Sequence, residues 1–202
     1  RGHRWITTRR FREAERDLAR AASLVEGRPD EVEPDGLPNA RNIPTSTLQS
    51  NIWYHLGLAR YVQGDFTGAL DAYRRCMAVS TNPDMMVATT YWLYLTLRRL
   101  GRHEEARAAL APVRRDLEII ENDSYHRLLL VFRGELPADS VRGTGGDAAL
   151  DDATTGYGLG AWHLAEGRGA EAEALFRRVI ANGSWPSFGF VAAEAELARM
   201  RR

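Results

Sequence analysis

The stretch 51-NIWYHLGLARYVQGDFTGALDAYRRC-76 decides the reading of this chain. Trp53, Leu56 and Gly57 fall in one helical run, Gly64 breaks it, and Ala69 and Tyr73 follow at helical spacing in a second run. Catalysis has no use for that order, but packing does. A glycine accepts the left-handed backbone of a tight turn between antiparallel helices. A small residue lets the two helices approach, and a bulky one fills the gap between one hairpin and the next.

The same order returns along the chain. Gly64, Gly101, Gly134 and Gly167 each end a helical run, at intervals of 37, 33 and 33 residues. Three of them are followed by a small residue (Ala69, Ala106, Ala172) and then a bulky one (Tyr73, Leu110, Phe176). Elsewhere apolar residues recur at i, i+3, i+4 and i+7, and no segment alternates as a strand does. A period near 34 describes a helix–turn–helix unit stacked on itself.

These residues resemble the tetratricopeptide repeat, whose signature is W-x2-L-G-x2-Y followed by Ala and an aromatic. Arg60 stands where the family prefers Tyr, with Tyr61 one position later, and Pro83 comes two residues after the usual closing Pro. The resemblance implies an all-α fold, a right-handed superhelical solenoid of about four to five helix hairpins. Its units are a truncated first repeat at 1–26, repeats at 50–83, 87–120 and 153–186, a degenerate repeat at 124–149 and a capping helix at 187–202. Pro112 should kink or shorten the second helix of its unit. Pro137 and 143-GTGG-146 should do the same in the degenerate one. At the start, Gly2, Trp5, Ala14 and Leu18 fit repeat positions, with Arg9 in place of the turn glycine, so Arg1 is expected not to be the natural start.

One long inter-repeat insert, 27-GRPDEVEPDGLPNARNIPTSTL-48, carries four prolines and four acids. Loops of that length in compact domains are usually functional or disordered. This one resembles segments of uncharacterised bacterial tetratricopeptide proteins, which implies an ordered loop folded over one face.

Composition narrows the function. The 27 basic and 27 acidic residues cancel, so the footprint of a nucleic-acid binder is missing. Every basic residue is Arg, the mark of a GC-rich and bacterial genome. Cys76 is the one cysteine, which excludes an intrachain disulfide and a cysteine-based zinc site. Cys76 falls in a small-residue packing slot and reads as inert. No apolar run is long enough to form a transmembrane segment. The compartment stays open between cytoplasm and periplasm.

The resemblance implies a concave groove lined by first-helix residues. By register these are Asn51, Tyr54, His55, Leu58, Tyr61 and Val62, then Tyr91, Trp92, Leu95, Arg98 and Arg99, then Tyr157 and Ala161. Aromatics beside arginines suit an extended peptide or a partner's helix. The family's Lys-based carboxylate clamp is excluded by the lack of Lys, while Arg98 and Arg99 could hold an acidic group. The histidines show no metal-ligand spacing, His103 should start a helix in an exposed position, and His55 and His126 could face the groove. Asp151 or Asp152 reads as a helix-start charge, and Gly160 of 156-GYGLG-160 as a close-packing residue. No hydrolase, phosphate-loop or dinucleotide motif is present.

The expectation is therefore a non-catalytic scaffold or accessory subunit without metal or cofactor. It would bind another protein or peptide, such as a subunit of a membrane-associated complex. The alternative is a small-ligand sensor in which the 27–48 insert closes over the groove. In either solenoid, Gly101→Val or Ala69→Leu should break stacking.

Overall fold

The protein, seen in a computed structural model, is all-α. The structure describes residues 1–33, 39, 41–141 and 148–201. Part of the 27–48 insert, the 143–146 glycine run and the Asp151 side chain lie outside the described residues. The helices are α1 (Gly2–Thr7), α2 (Phe11–Val25), α3 (Leu48–Gln63), α4 (Phe66–Val79), α5 (Pro83–Arg99), α6 (His103–Ala109), α7 (Asp123–Phe132), α8 (Ala148–Ala165), α9 (Gly169–Ala181) and α10 (Phe188–Met200). A 3-10 turn, Ala138–Val141, follows α7. The described residues contain no strand, only an isolated bridge between Val32 and Thr47.

Each hairpin turns in the same way. Gly64, Gly101, Gly134 and Gly167 have φ of 85°, 70°, 77° and 78°. Each glycine N–H donates to the carbonyl three residues back, and the next N–H reaches one five residues back, as in Gly64 to Tyr61 and Asp65 to Arg60. That is the Schellman arrangement. Arg9 makes the same pair of bonds at φ 61°, in a region L-residues enter only at a cost. Its side chain is held by Glu194 at 2.7 Å and lies over the rings of Trp185 and Phe190. A substitution at Gly101 is strained by its backbone rather than by lack of room, since nothing lies within 4 Å of a Cβ there.

Within the hairpins the helices touch through a glycine on the first and a bulky residue on the second. A Cβ on Gly57 would lie 2.6 Å from the Tyr73 ring, on Gly160 2.5 Å from Phe176, and on Gly2 2.5 Å from Leu18. Ala69, Ala106 and Ala172 are fully buried. The second helices are short where proline intervenes. α6 stops at Ala109 ahead of Pro112, and the 3-10 turn is the only helical segment between Pro137 and α8 among the described residues. α8 begins at Ala148, so Asp152 lies inside the helix rather than at its start.

Successive helices pack as neighbours, save that α7 packs on α5 rather than on the short α6, and the chain then returns on itself. α10 packs on α8 and α9, and it also reaches α3 and α1. Arg9 pairs with Glu194, Arg99 with Glu196 at 2.8 Å, and Arg199 donates to the Val62 carbonyl at 2.9 Å. The faces between these helices are thereby buried. α2 buries a single stripe of Ala14, Leu18 and Ala22, whereas α5 is buried almost all round, from Asp84 to Leu97. Trp92, Tyr61, Tyr73, Tyr91 and Tyr157 are among the largest fully buried side chains. Among the described residues no helix is long and apolar enough to cross a membrane.

Candidate functional site

The residues expected to line an open groove divide into three layers. Leu58, Tyr61, Val62, Tyr91, Trp92, Leu95, Tyr157 and Ala161 are core, at 4 % exposure or less. Their inward faces meet one another because α10 and α8 close over α3 and α5. Trp92 Nε1 donates to the Tyr54 hydroxyl at 2.8 Å, Tyr54 to Tyr125 at 3.3 Å, and Tyr157 to Tyr61 at 2.9 Å. Burial pushes the phenols of Tyr54, Tyr73, Tyr91 and Tyr157 well above their usual range, so they stay neutral.

The second layer is the end at which first helices finish. Arg98 reaches Glu166 at 2.6 Å and the Tyr94 hydroxyl at 2.9 Å. Arg99 takes the buried Glu196 carboxylate, which Arg199 also approaches at 2.8 Å. The two arginines expected to hold a partner's acid therefore hold acids of their own chain. A cleft of about 410 Å³ remains beside them, between Tyr94, Arg98, His103, Phe132 and Trp162. His103 opens α6 and is exposed.

The third layer lies where first helices begin, and here a pocket of about 340 Å³ opens. Asn51, Tyr54 and His55 of α3 face Met85 and Ala88 of α5, Tyr125 of α7, Thr154 of α8 and Phe188 of α10, and Glu121, Asn122 and Ser124 complete that side. Thr45 and Ser46, the last part of the insert, supply the remaining wall. The insert is tied down on both flanks. Asp30 accepts from the Thr47 hydroxyl at 2.6 Å and the Gln49 N–H at 2.9 Å. Asn51 donates to Glu33, Thr45 to Glu121, and Asn82 to the Thr45 carbonyl. Arg41 pairs with Glu118.

Local sequence explains this mouth. Thr47 and Ser50 form a capping box on α3, Asn82 caps α5 ahead of Pro83, and Ser187 caps α10. Asp84, 2 % exposed, accepts from the N–H groups of Ile120, Glu121 and Asn122 and so fixes the turn into α7. His55 Nδ1 lies 2.8 Å from the Asn51 carbonyl, a contact that requires a proton on Nδ1 and leaves Nε2 as an acceptor. Burial, and then the stacked His3 ring 4.6 Å away, hold the His55 pKa down at about 4, so the ring is neutral at pH 7. His126 is not part of the pocket: its Nε2 bonds the Arg114 carbonyl at 2.8 Å and anchors the segment after α6. Cys76 is buried against Thr89 and the Ser50 carbonyl, and burial pushes its thiol up to about 11.

Sequence reasoning missed Tyr125, Asn122, Phe188 and Asp84. Tyr125 and Phe188 sit in the first turns of α7 and α10, where register predicts a helix start rather than a wall. Asp84 has the usual look of an acid in a first turn, and only the tertiary fold brings three N–H groups to it. Among the described residues no group of three His, Cys, Asp or Glu is arranged to hold a metal ion. No protein-family model matches the chain, and no curated protein matches it either.

Proposed function

We propose that this chain is a small-ligand-binding module, built of tetratricopeptide-like hairpins curled until the last helix meets the first. The observation that carries the reading is the shared lining of one pocket by the insert (Thr45, Ser46) and by α3 (Asn51, Tyr54, His55). Its volume is at the small end of ligand sites, which run to about 300–1,000 Å³. The lining mixes an apolar floor, Met85, Ala88 and Phe188, with convergent hydroxyl and amide groups. We read the site as binding rather than catalytic, because burial holds the His55 pKa at about 4, too low for a general base working near neutral pH. Equilibrium dialysis of the whole chain against a metabolite extract tests this, with Ala88→Phe as the pocket-filled control. Enrichment of a compound by the wild type alone is expected. Equal recovery from both proteins would sink the reading.

A second reading, the polypeptide-binding scaffold or accessory subunit, draws on α10. That helix lies against α3 and α8 with Glu196 between Arg99 and Arg199, as a partner's acidic helix would. A partner would then have to displace it. Glu196→Ala should strengthen capture of a stoichiometric partner at low salt, and unchanged capture would count against displacement.

A further inference from the structure

Resting on the pocket reading above, we propose that the pocket recognises a small organic cation, an ammonium or quaternary ammonium compound. The chain carries 27 arginines, yet among the described residues no Arg lines the pocket. Arg41 of the insert pairs with Glu118, which is not among the described lining residues. What lines the pocket is a group of aromatic rings with a carboxylate on the rim. Tyr54, His55 and Phe188 pack with centroids 5.4 to 6.4 Å apart, and Tyr125 reaches Tyr54 through its hydroxyl. Glu121 stands at the edge, held in place by Thr45, and Glu33 lies behind the Asn51 amide. Ring faces attract a cation placed within about 6 Å of their centroids, and the effect grows when water is excluded.

Helix N-termini argue for an anion in general, and α3, α5, α7 and α10 all begin beside this mouth. Here their first donors are already used. Thr47 takes the Ser50 N–H, Asn82 the Met85 N–H, Ser187 the Phe190 N–H, and Asp84 the N–H groups ahead of α7. An anion would find capped ends and Glu121. A cation would find the lining rings of Tyr54, Tyr125 and Phe188, the Glu121 carboxylate, and a neutral His55 with one face covered by His3.

The test is an NMR titration of the whole chain with choline, with its carbon isostere in which a quaternary carbon replaces the nitrogen, and with acetate. Choline is expected to shift the His55, Tyr125 and Phe188 signals, and the uncharged isostere to bind roughly tenfold more weakly. Glu121→Gln should weaken choline several-fold at unchanged melting temperature. Equal binding of the isostere, shifts with acetate, or no shift with any probe would each overturn the cation assignment. The pocket itself falls only if the comparison with Ala88→Phe shows no enriched compound, so the two failures are told apart.

Discussion

The two ends of the helical interior are built from the same hairpins and finished by opposite chemistry. Where first helices begin, α3, α5 and α10 are capped by the neutral groups Thr47, Asn82 and Ser187, and Asn51, His55 and Tyr125 face a pocket; the acids there, Asp84 and Glu121, accept from N–H and hydroxyl groups rather than from arginines. Where they finish, the closing groups are charged: Arg98, Arg99 and Arg199 meet Glu166 and Glu196. Basic residues belong at helix C-termini, where they complement the partial negative charge, and they can reach across to acids on the returning helix. Hydroxyl and amide caps are short, and beyond their own helices Thr47 and Asn82 reach only the insert, at Asp30 and the Thr45 carbonyl, so they leave room. The charged end therefore fastens the fold, and the neutral end is free to hold a ligand.

The largest effect should come from unfastening the charged end. Glu196→Ala leaves two arginines facing each other around a 1 % exposed position, and breaking a buried pair costs about 3–5 kcal/mol. Denaturant unfolding reads the loss. A cost under about 1 kcal/mol would mean that the pairs contribute little to closure.

At the neutral end, His55 supplies a pH dependence. Its imidazole titrates near 6.5 in an unfolded chain and at about 4 in the fold. Above 6.5 both states are neutral. As pH falls through 6.5 toward 4 the unfolded chain takes a proton that the folded chain refuses, so stability drops by about 3 kcal/mol in all. Comparing wild type with His55→Leu across that window isolates the contribution, and parallel curves would refute it.

A smaller change tests the seam between the ends. A Cβ on Gly189 would lie 2.3 Å from the Ala153 carbonyl oxygen, so Gly189→Ala must push α10 off α8 beside the pocket. Overpacking of this kind costs about 1–3 kcal/mol, and it should disturb Thr154 and Phe188 before Glu196. A crystal structure with α10 unmoved would contradict this. The smallest effect concerns Arg9. Arg9→Ala and Arg9→Gly both lose Glu194, but only glycine relieves the positive φ, so Arg9→Gly should be more stable than Arg9→Ala by about 1 kcal/mol.

Much of the local structure was legible in the sequence, and its closure was not. The turn glycines and the Gly57–Tyr73 and Gly160–Phe176 contacts follow from one repeating pattern, because each involves residues close in the chain. The truncation of α6 follows from Pro112. Most of the residues that register assigns to a groove meet one another in the core. A signal for this was present in 87-VATTYWLYLTL-97, which is apolar or small all round, and such a helix is buried on every side. What no local pattern reveals is the return of α10 to α3 and α1, which depends on pairs such as Arg9–Glu194 that lie far apart in the chain. The pocket inherits that limit: Asn51, Tyr54 and His55 were readable from register, whereas Phe188 and Tyr125 join them only through closure.

The measurement that tests closure most directly is an NMR search for NOEs between the aromatic protons of His55 and Phe188. With ring centroids 5.4 Å apart, cross-peaks are expected in the ligand-free chain. Their absence, with Phe188 at the shifts of a solvated ring, would mean that α10 does not return to α3 and that no walled pocket exists.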